Sequence, residues 1–353
     1  MKTACMMLTI FCLSVLAAGE FDTGCAELMK FSGYGLFRWD FYGMENANPE
    51  NGMRSYFNVN WDPKLNSHVS GRMQLDLNSN SSNSVRLADI YLNLKLTGSI
   101  SLMGGQFKVP FGYGWTRPGG SMYFADRAFS TITTDYRNYA VRDNGVCLVA
   151  GFDPVRVDLG YFNGVGANKT ADNSRNGQFA ARVAADAASW LSLGAAFTTI
   201  GQPEIEDSTG TIDSWSSSGM DFYAAARYPL GESAKLFFEG EYAILGRTGA
   251  DVEGMEKNDG SCMSIGVAAE FGVGGGFVRN VRPAVRYDMV DPSTMIAEGA
   301  DEPENNVNVL DFCVGLDLTD NRNTLMLGAR NFSFENENVD GHTDIYINWR
   351  MNF

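Results

Sequence analysis

The chain ends on the stretch Asp344-Ile345-Tyr346-Ile347-Asn348-Trp349-Arg350-Met351-Asn352-Phe353, in which apolar and polar side chains alternate. A period of two gives a strand one apolar face and one polar face. The closing strand of a membrane barrel has this pattern, because its apolar side chains meet lipid and its polar side chains meet a wet lumen. A terminal aromatic such as Phe353 is also typical of the assembly signal of bacterial barrels. The stretch therefore predicts an all-β protein, a transmembrane antiparallel β-barrel.

The N-terminus predicts export from the cytoplasm. Met1-Lys2-Thr3 is a short basic start, an apolar run extends over residues 6–16, and Ala17-Ala18-Gly19 offers a cleavage site with small side chains. This layout indicates a cleaved signal peptide over residues 1–19 and a single barrel domain over residues 20–353. A buried N-terminal helix is the alternative. Lipidation of Cys25 is not expected, because Asp22 stands where a lipoprotein signal carries an apolar residue.

About sixteen segments of the mature chain carry a strand pattern, so the predicted barrel has about sixteen strands. They lie at 30–41, 56–61, 68–78, 86–97, 99–109, 142–152, 155–163, 177–186, 190–200, 218–228, 234–246, 261–271, 279–290, 307–318, 322–334 and 343–353. Short connections rich in turn-forming Asp, Pro, Gly and Asn alternate with long ones. The long ones lie at 43–52, 78–85, 110–141, 163–177, 200–217, 247–260, 291–306 and 335–342. Short periplasmic turns and long extracellular loops are typical of a membrane barrel, whereas a soluble sandwich does not separate loops by length.

The formal net charge is −15, which argues against nucleic acid as a partner. Most of the negative charge falls in the long loops after residue 200. One interpretation is a solvated outer surface, and the other is a rim that holds divalent cations against anionic lipid. No loop has the spacing of a dedicated calcium site. The loop carboxylates are Glu204, Glu206, Asp207, Asp213, Asp251, Glu253, Glu256, Asp259, Asp291, Glu298, Asp301, Glu302, Glu304, Glu335, Glu337 and Asp340.

Alternate positions of each strand point inward, and this parity places basic and acidic side chains together in the lumen. The predicted pore-lining cations are Arg38, Arg72, Lys108, Arg182, Arg227, Arg282, Arg286 and Arg350. Carboxylates such as Asp76, Glu239 and Glu241 have the same parity. Charges of both signs in a narrow wet pore set selectivity through the local field, so we expect a polar channel with a transverse field.

The longest connection, residues 110–141, is the predicted constriction. It is rich in aromatic residues, which is unusual for a fully solvated loop, and folding into the barrel would bury those rings. We expect the pore constriction to be formed by Arg117, Arg127, Arg137, Arg142, Asp126 and Asp135. Arginine suits contact with an anion, because its donors meet a carboxylate or a phosphate bidentately. A loop that caps the barrel from outside is the alternative.

Several segments, in order, resemble the phosphate-selective porin O/P family over nearly the whole mature chain. They are Gly105-Gln106-Phe107-Lys108-Val109-Pro110-Phe111-Gly112, Arg142-Asp143-Asn144-Gly145-Val146, Tyr161-Phe162-Asn163-Gly164 with Ala181-Arg182-Val183, and Arg282-Pro283-Ala284-Val285-Arg286-Tyr287-Asp288. The resemblance implies a sixteen-stranded homotrimeric channel in the bacterial outer membrane that passes small solutes, anions in some members. Carboxylates interleave with the arginines here, unlike the arginine and lysine ladders of the phosphate-selective members, so the expected anion preference is mild.

Catalytic and metal chemistry have little support in the sequence. The two histidines, His68 and His342, are far apart, and a barrel hydrolase would have to use His342 beside a nucleophile and an orienting group. Cys147, Cys262 and Cys313 have lumen-facing parity on strands that are not neighbours in order, which disfavours a disulfide, and their spacing fits no metal site. We expect no enzyme activity and no cofactor.

The sequence thus predicts an outer-membrane porin, in contact with membrane lipid, for passive diffusion of small hydrophilic solutes. The alternative is a structural or adhesive barrel that acts through its acidic extracellular loops.

Overall fold

The computed structural model describes most of the predicted barrel domain. It covers residues 28–41, 52–79, 85–169, 177–201, 205–207, 210–212, 216–246, 255–274, 276–297, 305–318, 322–336 and 338–353. The predicted signal peptide at residues 1–19, the start of the mature chain and Cys25 lie outside these ranges and stay predictions.

Sixteen strands form one closed antiparallel barrel, as the alternating pattern predicts. They are β1 (Leu28–Phe41), β2 (Gly52–Lys64), β3 (Val69–Asn78), β4 (Val85–Lys95), β5 (Ile100–Lys108), β6 (Arg142–Phe152), β7 (Val155–Phe162), β8 (Gln178–Ala188), β9 (Leu191–Gly201), β12 (Ser216–Pro229), β13 (Ala234–Leu245), β15 (Gly260–Gly272), β16 (Val278–Asp291), β18 (Val307–Leu318), β19 (Asn323–Phe334) and β20 (His342–Asn352). Each pairs with the next in this order. Two small ribbons stand apart: β10 (Ile205–Asp207) pairs with β11 (Gly210–Ile212), and β14 (Met255–Asn258) pairs with β17 (Thr294–Ala297).

The barrel closes where the last strand meets the first. β20 pairs antiparallel with β1, with Asn352 opposite Tyr34 and Ile345 opposite Phe41. Beyond the strand, the backbone N–H of Gly33 donates to the carbonyl of Phe353 at 2.9 Å, and the N–H of Phe353 donates to the carbonyl of Gly33 at 3.0 Å. The terminal Phe353 is therefore part of the seam, and no strand edge is left open there.

Connection length differs between the two ends of the barrel, as predicted. We call the end that carries β4–β5 and β6–β7 turns the short-turn end, where only a few residues such as Asp153 and Pro154 join neighbouring strands. At the opposite, long-loop end, β5 and β6 are joined by residues 109–141. Both termini of the barrel, at Leu28 and Asn352, lie at the short-turn end.

Side-chain burial follows the period of two along the final strand. Ile345 is 55% exposed and Trp349 is 42% exposed on the outer face, whereas Tyr346 and Arg350 are almost completely buried inside. Arg286 and Arg350 are the largest fully buried side chains in the described residues, so the interior contains buried charge beside its apolar clusters.

The connection from β5 to β6 folds into the barrel, as predicted, and the alternative of an outer cap is wrong. It contains the short helices Tyr113–Thr116 and Thr134–Ala140 and the 3-10 turns Gly119–Ser121 and Phe129–Ile132. One apolar cluster joins its Phe111, Tyr136 and Tyr139 to wall residues, and a second surrounds its Phe124. No helix in the described ranges is long and apolar enough to cross a membrane.

Candidate functional site

The constriction loop, residues 109–141, turns into the lumen directly after β5. Gly112 has φ of 78°, a conformation that favours glycine, and a Cβ there would lie 1.8 Å from the Tyr136 hydroxyl oxygen. Phe111 packs against Tyr136 and Tyr139, with ring centroids 5.8 Å and 6.0 Å away. The two ends of the loop are thereby packed together against the wall.

One side of the loop faces carboxylates on β13. Glu241 Oε2 accepts a hydrogen bond from the backbone N–H of Gly114 at 2.8 Å, and its Oε1 accepts one from the Tyr136 hydroxyl. Arg117 of the loop forms an ion pair with Glu239. Because the odd-numbered positions of β13 point inward, the two carboxylates lie along the same face.

The other side of the loop faces arginines on β1, β16, β19 and β20. Asp126 pairs with Arg38 and, at 3.3 Å, with Arg330, and both arginines also bind wall carboxylates. Burial alone would raise the pKa of Asp126, but the neighbouring guanidinium groups of Arg38 and Arg330 outweigh it and lower the pKa below its ordinary value. Asp126 therefore stays ionised and joins the loop to two strands.

Three cations around the loop bind backbone carbonyls instead of carboxylates. Lys108 Nζ donates to the Trp115 carbonyl at 2.7 Å, Arg127 Nη2 to the Arg117 carbonyl at 2.9 Å, and Arg350 Nη1 to the Met122 carbonyl at 2.6 Å. No carboxylate among the described residues forms an ion pair with any of the three. A carbonyl satisfies the donors but cannot neutralise the charge, so positive charge remains beside the loop. Burial lowers the pKa of Arg127 from its ordinary value.

The predicted constriction residues do not all meet. Arg117, Arg127 and Asp126 lie at the contacts just described, and Arg137 is exposed, with its guanidinium 5.9 Å from the Trp115 ring centroid. Asp135 accepts a hydrogen bond from the backbone N–H of Ser293 at 2.8 Å.

Arg142 does not join this group. It begins β6, is buried, and pairs with Asp89 of β4 at 2.5 Å.

The eight predicted pore-lining cations are all on the lumen side, in two kinds of environment. Arg72 pairs with Asp62 at 2.6 Å and Arg282 pairs with Asp317 at 2.7 Å. The remaining six contact the loop or its carbonyls: Arg38, Lys108, Arg182, Arg227, Arg286 and Arg350. Most of the predicted lining is therefore committed to holding the loop.

Glu241, Tyr136 and Arg330 also belong to the site, although they are not among the site residues predicted from the sequence. Parity put Glu241 and Arg330 on the lumen face, but their role at the loop depends on which strands lie opposite it. The loop contact from Gly114 to Glu241 spans 127 positions of the chain. In the sequence, this contact is indicated only by the number of strands between β5 and β13, which sets how far apart they lie around the barrel.

A cavity of about 450 Å³ lies between the loop and the wall. Tyr123 of the loop closes one side, and its ring stacks near Phe237 with centroids 4.2 Å apart. Its charged lining residues are Arg227, Lys235, Glu270, Arg282, Asp317 and Arg350. The lumen beside the loop is therefore open and polar at this level.

The histidine and cysteine candidates have ordinary surroundings. The His342 ring stacks on Phe332 with centroids 4.6 Å apart, its Nε2 lies 3.9 Å from Asp344 Oδ1, and its Nδ1 has no hydrogen-bond partner among the described residues. Cys147, Cys262 and Cys313 are buried free thiols, and Cys313 donates weakly to the Tyr123 carbonyl at 3.7 Å.

The acidic loops that could hold divalent cations fall largely outside the described residues. Within the described ranges, no group of three or more His, Cys, Asp or Glu side chains could hold a metal ion. The cation prediction for the outer rim stays a prediction.

Solved structures of outer-membrane barrels share this fold. The chain is similar to OmpT, an outer membrane protein of Vibrio cholerae solved in a trimer form, at 16% identity and a TM-score of 0.57, over 92% of this chain and 99% of that one. It is similar to OprB of Pseudomonas putida at 9% identity and a TM-score of 0.64, over 92% and 94%. A mutant of the porin of Rh. blastica matches at 13% identity and a TM-score of 0.52, over 92% and 100%. No protein-family model matches the sequence, and no curated protein is a significant match to it. At these identities the likeness is one of fold.

Proposed function

We propose that the protein is a porin of the bacterial outer membrane, a water-filled channel through which small hydrophilic solutes diffuse passively. The observation that carries the proposal is a closed barrel, apolar outside and charged inside, whose longest loop lies in the lumen. A loop that lies between the charged walls of a polar lumen narrows an aqueous path, as in porins. Its solved neighbours are named as outer membrane proteins and a porin.

The channel is proposed to be a homotrimer. One support is the trimer form of the similar OmpT of Vibrio cholerae, and the other is the resemblance of ordered segments to the phosphate-selective porin O/P family. Cross-linking of the purified protein in detergent, followed by its mass, tests this assembly, and a monodisperse monomer would contradict it.

A mild preference for anions is the finer part of the proposal. Arg127 and Arg350 are held by carbonyls, so their charge acts on the lumen without a carboxylate in contact. The wall around them carries paired charges of both signs, which keeps the preference small. Phosphate specificity in particular is not proposed.

Planar-bilayer recording of the purified protein tests the channel. We expect stepwise current and, in a salt gradient, a reversal potential that favours anions modestly. Replacing Arg127 with Gln removes one uncompensated charge and shifts the reversal potential toward cations. Arg279→Gln is the matched control, because Arg279 is exposed beside the short-turn end. An absence of stepwise current would favour the structural or adhesive alternative instead.

Hydrolysis at His342 is the weaker alternative. Nucleophilic catalysis would need a hydroxyl or thiol beside the ring, whereas His342 stacks on Phe332 and faces Asp344 at 3.9 Å. Turnover of a peptide or ester substrate that disappears in His342→Ala would be required to revive this alternative.

A further inference from the structure

Asp221 is a buried carboxyl group that has no apparent partner of opposite charge. It lies on the lumen face of β12, its side chain is fully buried, and neither of its oxygens accepts a hydrogen bond of normal geometry from a described residue. The backbone N–H of Tyr113 points toward it without completing such a bond. An ionised carboxylate in this position would lose its hydration without compensation, which is strongly unfavourable.

The neighbour of Asp221 is the carboxyl group of Glu241 on β13. Asp221 lies opposite Ala243 and Glu241 lies opposite Tyr223, so the two inward-facing carboxyl groups are diagonal neighbours on adjacent strands and within hydrogen-bond reach. Glu241 also accepts from the Gly114 N–H at 2.8 Å and from the Tyr136 hydroxyl. One carboxylate thus holds the first helix and the last helix of the constriction loop to the same point of the wall.

Among the described residues, none of the cations around the pair forms an ion pair with Asp221 or Glu241. Arg182 of β8 faces it, but its Nη2 donates to the Tyr223 hydroxyl at 3.1 Å and its Nη1 to Thr116. Arg117 of the loop is paired with Glu239. Arg127 and Arg286 line the same cavity as Glu241, but Arg127 donates to the carbonyls of Gly114 and Arg117, and Arg286 is paired with Asp288 and Asp311. The other titratable groups that face the pair from the loop, β13, β15 and β16 are Tyr113, Tyr136, Glu239, Cys262 and Asp288. Two ionised carboxylates in contact, neither of them paired with a cation, repel each other strongly.

We propose that Asp221 and Glu241 share one proton, and that this pair positions the constriction loop. Asp221 is the neutral member and donates its O–H to Glu241, which remains ionised and accepts from Asp221, Gly114 and Tyr136. Every polar atom of Glu241 and the hydroxyl of Asp221 then has a partner. Raising the pH removes the shared proton, the two charges repel, and the ends of the loop separate from β13.

Infrared spectroscopy of the purified protein tests the shared proton directly. We expect the C=O stretch of a protonated carboxylic acid at neutral pH, and its loss in Asp221→Asn. The Asn amide can still donate to Glu241 but cannot titrate, so the loop stays in place in this variant. Glu270→Gln is the control, because Glu270 pairs with Lys235 at 3.0 Å near the short-turn end and should contribute no such band. A wild-type spectrum without the band overturns the proposal.

The fluorescence of Trp115 reports the position of the loop without any measurement of current. It is obtained by subtracting the spectrum of a Trp115→Phe variant from the spectrum of each protein. We expect a change as the pH rises from about 6 to about 10 in the wild type, and no change in Asp221→Asn. The same pH change in both proteins would overturn the positioning role even if the band is present. The current noise of the open channel should follow the fluorescence. Only the current measurement rests on the proposed function. A protein that shows the infrared band and the fluorescence change but passes no current would therefore contradict the porin function and not the shared proton.

Discussion

Buried arginines in the lumen find two kinds of acceptor, and the difference sets the field of the pore. Arg286 donates to Asp311 at 2.9 Å and to Asp288 at 3.2 Å, so its charge is compensated. Arg350 donates to the carbonyls of Met122 and Phe124, so no carboxylate compensates its charge. A buried ion pair adds little net stability once desolvation is counted, but loss of one partner leaves a charge that is costly. The pairs therefore fix position, while the carbonyl-bound cations act on solutes.

Replacement of Asp126 tests this division of roles. Asp126→Asn leaves Arg38 and Arg330 with one carboxylate fewer, so positive charge at the constriction increases by one. We expect the reversal potential in a salt gradient to shift toward anions, by at least as much as Arg127→Gln shifts it the other way. Glu232→Gln, the same change of charge in the exposed turn between β12 and β13, is the control, and an equal shift there would contradict the placement of Asp126 at the narrow part of the pore.

Acidification tests the same carboxylate. The pKa of Asp126 is lower in the folded than in the unfolded chain. Its ion pairs are therefore present at neutral pH and are lost only as the pH falls through the folded-state pKa. That value lies below the ordinary aspartate pKa of about 4. The difference in selectivity between wild type and Asp126→Asn should therefore persist from pH 7 down to about pH 4. If the difference in selectivity disappeared with an apparent pKa at or above about 4, the guanidinium groups would not be holding Asp126 ionised.

At the scale of elements, the constriction loop depends on the turn at Gly112. In Gly112→Ala the new methyl group would occupy the position of the Tyr136 hydroxyl, at a φ that costs a non-glycine residue about 1–3 kcal/mol. We expect a lower thermal transition, followed by the heat-dependent mobility of the barrel in gels, and noisier open-channel current. Gly151→Ala is the control, since a Cβ there meets no atom within 4 Å. If both variants had the same thermal transition and the same open-channel noise, the packing of the Gly112 turn against Tyr136 would be contradicted.

The strands and the direction of the loop could be predicted from the sequence, because both leave a local signal. Alternation marks each strand, and Trp115 and Tyr136 mark a loop that needs burial. The partners of charged residues could not be predicted, because they depend on how far around the barrel two strands lie. Arg142 was expected at the constriction, but it opens β6 and reaches Asp89 on β4. Parity gives the face of Glu241, whereas its contact with Gly114 also needs the path of the loop across the lumen.

At the scale of the whole molecule, closure of the sheet leaves every strand paired on both sides, so stability in a bilayer depends on the outer face. Phe353 pairs with Gly33 and completes the last hydrogen bonds of the seam. The aromatic and aliphatic side chains that alternate with the lumen residues are exposed all round the barrel, as lipid contact requires. A charge added to that face should cost more at the middle of a strand than at its end.

Two substitutions on β15 test this dependence on depth. Val267 and Phe271 point outward, 37% and 44% exposed, one near the middle of β15 and the other near its short-turn end. In a membrane barrel, arginine at the bilayer midplane costs about 2–4 kcal/mol and arginine near the interface about 0–1 kcal/mol. We therefore expect Val267→Arg to lower the free energy of unfolding from lipid vesicles, measured by urea titration, by several times more than Phe271→Arg. Equal costs for both, or a smaller cost for Val267→Arg, would contradict a barrel that spans the bilayer with β15 centred on its midplane.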